Sequence, residues 1–270
     1  MPPIFPFEIE EIILDLLAED DEDHLELKTC SLVCQNFLTI CRKHIFESIV
    51  LNPSQYHRDY LALVHSQASS LTTHKFDQLL RETPEIAGYI RKLDYTIRST
   101  DLTSASIQES LRRISRLEFL TIRCGEFMVK LDWSSPIRPT LLYLLHLPTL
   151  THFEMNEVVE VFAVSDLIPC VNLKFLNIGC TSMAVEDTFP STLPKHSIQL
   201  NEFVAQSQFG VSASAIMKLC TTRRPDGQPI INFGSLSKIK VVFLLPDAVS
   251  ALQELFRHCH VLTNASILCK

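Results

Sequence analysis

Residues 5–37 read FPFEIEEIILDLLAEDDEDHLELKTCSLVCQNF, and the rest of the chain is organised around this stretch. Ile9, Ile12, Ile13, Leu16 and Leu17 recur at helical spacing. Pro6 stands where a first-turn proline is tolerated, and Glu8, Glu10 and Glu11 follow in the first turn, where the helix dipole favours acids. The spacing predicts a short amphipathic helix. A second helix is expected after the acidic run Glu19 to Asp23, with Asp23 and Glu26 as its capping pair and an apolar face of Leu27, Cys30, Val33, Cys34 and Phe37. A third, Thr39 to Ser48, carries Ile40, Ile45 and Phe46. Three such short helices bury little surface among themselves, so the unit should be marginal alone and stabilised by covering its remaining apolar face.

The chain has 270 residues, 46% of them hydrophobic, and only six glycines, which excludes a disordered or low-complexity protein. Its charge is lopsided: residues 1–27 hold ten acids and no Lys or Arg, while the remainder holds 24 bases against 21 acids. The acidic run is either a solvated turn or a steering element for a basic partner surface. The nine cysteines are odd in number and no positively charged start precedes an apolar signal core, so reduced thiols in the cytoplasm or nucleus are expected. The longest apolar runs, near Leu141 to Leu150 and Val241 to Leu245, fall far short of a membrane span, and no membrane partner is expected.

From Ile90 onward one pattern recurs: an apolar residue, two others, an apolar residue, one other, an apolar residue. It appears as Ile90-Leu93-Tyr95, Leu117-Leu120-Ile122, Leu150-Phe153-Met155, Leu173-Leu176-Ile178, Leu236-Ile239-Val241 and Leu262-Ala265-Ile267. Successive central positions lie 27, 33, 23, 63 and 26 residues apart, and the long gap predicts one degenerate repeat near Ile198 and Leu200. Helical patterns lie between several of them, at Ser104 to Ile114, Ser212 to Cys220 and Asp247 to His258. Strand, turn and helix at this period build leucine-rich repeats, each burying its apolar side by stacking on neighbours. The expected fold class is α/β: a three-helix unit over residues 1–51, a helical linker over 52–87, and an irregular leucine-rich-repeat-like solenoid over 88–270. Within the linker a short helix is expected at Tyr60 to Val64, and another capped by Thr73 and ended at Thr83-Pro84.

Phe5-Pro6-Phe7-Glu8-Ile9, the Ile12/Ile13/Leu17 face and Cys30-Ser31-Leu32-Val33-Cys34-Gln35-Asn36-Phe37 resemble the F-box motif. With Cys41-Arg42-Lys43-His44-Ile45-Phe46 following, the form resembles the large fungal F-box families in particular. Phe5 and Phe37 stand where that family usually has Leu and Trp, changes that conserve bulk. The resemblance implies docking on the Skp adaptor of a cullin–RING ubiquitin ligase core through Phe5, Pro6, Glu8, Ile9, Ile12, Ile13, Leu17, Leu32, Val33, Cys34 and Phe37. It implies that the rest of the chain holds a protein substrate. The alternative is an interaction scaffold of the same fold that joins no ligase.

Cys30, Cys34, Cys41 and His44 would share one face of a continuous helix, which invites a zinc reading. Residues eleven apart on a helix are separated by about 16 Å of rise, whereas zinc ligands converge to about 2.0–2.3 Å from one ion, so packed core thiols are the better account. No Gly-x-Ser-x-Gly elbow, glycine-rich phosphate loop, His-Glu-x-x-His or paired Cys-x-x-Cys occurs. Neither an enzyme nor a cofactor or metal is expected. Arg112-Arg113 and Arg223-Arg224 are isolated pairs, expected on solvated faces and too few for binding nucleic acid through phosphates. Strand alternation turns Lys92, Asp94, Phe119, Thr121, Arg123, His152, Glu154, Asn156, Phe175, Asn177, Lys238 and Lys240 away from the core, as a candidate substrate face. Phe119 and Phe175 there mark either a binding patch, positions covered by a loop, or a register that is one residue off.

Overall fold

A computed structural model of the chain describes residues 6–20, 24–52, 69–124, 133–156, 161–179, 182–184, 192–205, 213–243 and 248–269. The fold is α/β with a parallel sheet, and the chain divides into two compact units: residues up to Thr96 with Ala105–Leu117, and Ile97–Ser104 with residues from Glu118 onward.

The first unit opens with α1 (Phe7–Asp20), α2 (Leu25–Cys30) and α3 (Gln35–Ile45). The expected second helix breaks at Cys30 and does not continue to Phe37. Thr29 and Ser31 turn their hydroxyls onto the carbonyls of Leu25 and Lys28, at 2.9 and 2.6 Å, competing with the helical ladder. Leu32 and Val33 then close a turn by donating to Thr29 and Cys30. Cys34 is the extended residue ahead of α3, so the four candidate zinc ligands share no single helix. Asp23 lies outside the described residues, and His24 precedes α2 with a left-handed backbone (φ 54°). The third helix stops at Ile45, because Ser48 already begins a strand.

That strand, β1 (Ser48–Leu51), pairs in parallel with β2 (Ser69–Leu71) on one side and β3 (Lys92–Ile97) on the other. Phe46-Ile49-Leu51 is thus a repeat triplet that sequence reading passed over, with Ile49 opposite Leu93 and Leu51 opposite Tyr95. Between the strands come α4 (Thr73–Glu82), capped by the hydroxyl of Thr72 rather than Thr73, and a 3-10 turn, Pro84–Gly88. The helix expected at Tyr60 to Val64 falls outside the described residues. After β3, α5 (Ala105–Arg112) packs on α4, where the buried Asp77 carboxylate accepts from Ser110 at 2.7 Å and pairs with Arg81.

The second unit continues with β4 (Phe119–Cys124), α6 (Arg138–Leu145), β5 (His152–Asn156), β6 (Val161–Ala163), β7 (Phe175–Gly179), β8 (Ser182–Ala184) and β9 (Ile198–Gln199). There follow β10 (Glu202–Ala205), α7 (Ala213–Thr221), β11 (Ile231–Asn232), β12 (Lys238–Phe243), α8 (Ala248–Arg257) and β13 (Asn264–Cys269). Strands β4-β5-β7-β10-β12-β13 are parallel neighbours in that order, while β6 pairs with β8 and β9 with β11. Helix α6 overlaps the start of the apolar run that ends at Leu150, where the sequence gives no helical pattern.

The triplet centres stack in register: Leu120 opposite Phe153, Phe153 opposite Leu176, Leu176 opposite Phe203, Phe203 opposite Ile239, and Ile239 opposite Ala265. The degenerate repeat in the long gap is Leu200-Phe203-Ala205. Ile198, which sequence reading grouped with Leu200, instead belongs to β9. One backbone device recurs at the entry of these strands. The carbonyl just ahead of one strand receives two successive N–H groups from the entry of the next, as Glu118 does from Thr151 and His152. The same holds for Thr151 with Lys174 and Phe175, Lys174 with Asn201 and Glu202, Asn201 with Ser237 and Lys238, and Ser237 with Thr263 and Asn264. Glu47 serves Arg91 and Lys92 alike in the first unit.

Of the two arginine pairs, Arg224 departs from the expected solvated face: it is only 5% exposed. A turn closed by Gly227 (φ 79°) folds it inward, and its guanidinium donates to the carbonyls of Pro194 and His196 while pairing with Asp226. A charge with this many acceptors is stable in the interior.

Candidate protein-binding surfaces

The three helices have a satisfied core of their own. Leu14 and Ala18 of α1 pack with Leu27, Ile40, Cys41 and Ile45, and Leu17, Cys30, Phe37 and Phe46 close around them. Burial and the neighbouring Cys30 and Cys34 push the Cys41 thiol up to about 11. Polar contacts also join α3 to α1: His44 Nε2 lies 2.7 Å from Asp15 Oδ1, and Lys43 pairs with Glu11 at 3.3 Å.

What this core leaves uncovered is strongly apolar. Phe7, Ile9, Ile12, Ile13 and Leu16 on α1, and Leu25, Leu32 and Val33 around α2, are all exposed, Leu16 by 58% and Leu32 by 85%. Scattered apolar residues are ordinary on a surface, but this many on two short helices and the turn after them is the kind of accumulation that marks an interaction site.

Of the residues implied by the motif resemblance, Pro6, Glu8, Ile9, Ile12, Ile13, Leu32, Val33 and Cys34 are exposed here, while Leu17 and Phe37 turn partly into the helical core. Phe5 lies outside the described residues. Phe7, Leu16 and Leu25 share the surface without being implied by the motif resemblance. Leu16 was within reach, since it follows Ile12 by four residues and Ile9 by seven, the spacing of one helical stripe.

The second surface is the sheet face of the second unit turned away from Leu120, Phe153 and Leu176. Its first row, in register, is Phe119, His152, Phe175, Glu202 and Lys238. His152 stacks on Phe119 and on Phe175, with ring centroids 4.1 and 5.6 Å apart, and Glu202 pairs with Lys238 at 3.7 Å. Burial lowers the His152 pKa, with Glu202 and Glu118 acting in the opposite direction.

The two phenylalanines lie on the face to which alternation turns them and are only partly exposed. Each is half-buried against the imidazole between them. The next row is Thr121, Glu154, Asn177, Val204 and Lys240, and here the expectation needs correction: Asn177 is only 4% exposed, so its amide is not displayed. Lys238 and Lys240 are exposed, Thr121, Arg123 and Glu154 are half-buried, and Asn156 lies in β5 in register with Arg123. This face offers a flat aromatic strip bordered by charges of both signs.

Beyond these surfaces, Asp166 gathers Trp133 Nε1 at 2.6 Å and Arg138 at 2.9 Å, with Arg138 over the indole, a contact set that secures α6. Among the described residues no group of three His, Cys, Asp or Glu is placed to hold a metal ion, and no helix is long and apolar enough to cross a membrane. Comparison with protein-family models and with curated proteins gives no match.

Proposed function

We propose that the chain is an F-box-type adaptor: the substrate-recognition subunit of a Skp–cullin–F-box ubiquitin ligase. The helical surface docks the Skp adaptor, the leucine-rich-repeat-like strands form a solenoid, and its sheet face holds a protein substrate in the cytoplasm or nucleus. The observation that carries this reading is the separation of two apolar sets on three short helices. Leu14, Ala18, Leu27, Ile40, Cys41 and Ile45 make the internal core, while Ile9, Ile12, Ile13, Leu16, Leu32 and Val33 remain in water. Fully burying one aliphatic side chain contributes about 1.5–3 kcal/mol, so leaving this set exposed is accounted for by a partner that covers it. The motif resemblance over the same residues names the partner.

The in-register triplets and the repeated double acceptance at strand entry support the solenoid part of the reading. The test is copurification: the chain expressed with a Skp adaptor and cullin should capture both, and a variant with Ile9, Ile12 and Leu32 all changed to Ala should capture neither. Retention of the complex by that variant, or no complex with the wild type, would overturn the assignment.

A further inference from the structure

The outward rows of the sheet in the second unit hold groups that are matched and groups that are not. In the first row His152 lies between the rings of Phe119 and Phe175, and burial lowers its pKa, so the three rings form an uncharged platform near neutral pH. Glu202 beside them pairs with Lys238 at 3.7 Å. In the second row Glu154 has a partner of its own. Lys240 is exposed, and the acid of its row, Glu154, stands three strands away, about 14 Å at the ordinary strand spacing.

Between Glu154 and Val204 sits Asn177, 4% exposed, with an amide oxygen that receives no hydrogen bond. A buried acceptor without a donor costs about 1–3 kcal/mol. An apolar side chain of similar size would avoid that cost, so the amide is better explained by a donor that arrives with a ligand.

We propose that this face binds an extended acidic segment of the substrate, laid across the strands. An aromatic or large aliphatic side chain rests on the rings of Phe119, His152 and Phe175, a backbone N–H of the segment is received by the Asn177 amide, and a carboxylate meets Lys240. The charges select this class. Both acids of these rows are already engaged, which leaves a basic segment without a free counter-charge. One open lysine beside two carboxylates is unsuited to the phosphate chain of a nucleic acid. From Phe175 and His152 to Lys240 is about 10–14 Å across the strands and about 7 Å along them, the reach of roughly three to five residues of extended chain. The inference rests on the adaptor reading for calling the segment a substrate, while the chemistry of the face stands apart from it.

Panning a phage-displayed library of random twelve-residue peptides against the full chain tests it. The selected peptides should carry Phe, Tyr, Trp or Leu with Asp or Glu roughly three to five residues away. Lys240→Glu, at an exposed position, should bind them at least about tenfold more weakly and, panned itself, should select Lys or Arg in place of the acid. Asn177→Leu should unfold at a higher denaturant concentration than the wild type, having lost the unpaired acceptor, yet bind the selected peptides at least about threefold more weakly. An amide with a structural role alone would not give both changes. If Asn177→Leu fails to fold, Lys240→Glu decides alone. No selected peptides, peptides lacking the acid, or equal binding by either folded variant would overturn the proposal. The panning needs no adaptor. Skp capture without selected peptides would strike this inference alone, and selected peptides without Skp capture would strike the adaptor reading alone.

Discussion

The imidazole of His152 stacks on the ring of Phe119, with centroids 4.1 Å apart and planes 23° from parallel. The pair joins β4 to β5 on the candidate substrate face and puts a titratable group where an uncharged ring is favoured.

Because burial lowers the pKa of His152 below 6.5, the folded state takes up this proton less readily than the unfolded chain. Its contribution to stability is complete above 6.5 and is lost as the pH falls through the lower folded value. Denaturant midpoints on either side of that window should therefore drop more on acidification for the wild type than for His152→Phe, which keeps a stacked ring and cannot titrate. Equal drops would show that this histidine is not the group concerned.

Asn52 is buried, with a left-handed backbone of φ 53°. Its amide donates to the Thr96 carbonyl at 3.3 Å and accepts from the Thr73 N–H at 3.1 Å, linking β1 to β3 and to the start of α4. Replacement by Ala should cost about 2 kcal/mol in denaturant unfolding, since the buried Thr96 carbonyl and the half-buried Thr73 N–H each lose this bond and a Cβ residue is held at positive φ. Asn52→Gly should be milder, since it relieves the backbone alone. A loss within about 0.5 kcal/mol for Ala would mean the contacts are dispensable.

Leu14 and Leu16 are two residues apart on α1 with opposite roles. Leu14→Ala opens a cavity in the helical core and should cost about 2–5 kcal/mol of stability. Leu16→Ala should change stability by no more than about 0.5 kcal/mol and weaken adaptor binding instead. A comparable stability loss from Leu16→Ala would mean that its side belongs to the core.

Cys34 is exposed and Cys41 buried, with the Cys41 thiol raised to about 11 by its surroundings. Alkylation of the native chain near neutral pH, read by peptide mass spectrometry, should modify Cys34 and spare Cys41 until denaturant is added. Equal labelling of the two would contradict the packing of α3 on α1.

Most strands legible in the sequence carry large side chains at all three apolar positions, Leu262-Ala265-Ile267 being the exception. Leu200-Phe203-Ala205 was misplaced because Ala205 hardly registers as apolar and Ile198, in a different strand, lies close by. Phe46 also fits the helical spacing of Ile40 and Ile45, and an expected helix that runs to Ser48 hides the triplet Phe46-Ile49-Leu51. The end of α2 was illegible for a related reason: Leu27, Cys30, Val33, Cys34 and Phe37 keep a helical period across a break made by the hydroxyls of Thr29 and Ser31. On the sheet face, alternation correctly turned Phe119 and Phe175 away from the core, but period alone could not show that His152 would cover them. Nothing in the sequence around Arg224 marks it as buried, because its acceptors, the carbonyls of Pro194 and His196, are 28 to 30 residues away.

Calorimetric titration of purified Skp adaptor into the full chain, wild type beside Leu32→Asp, tests the central claim most directly. Leu32 is 85% exposed and contributes nothing to the helical core, so the variant should unfold at the wild-type midpoint. The adaptor reading predicts one-to-one binding by the wild type and an affinity at least about tenfold lower for the variant, equivalent to about 1.4 kcal/mol. No binding by a folded wild-type chain, or equal affinity for the two proteins, would contradict it.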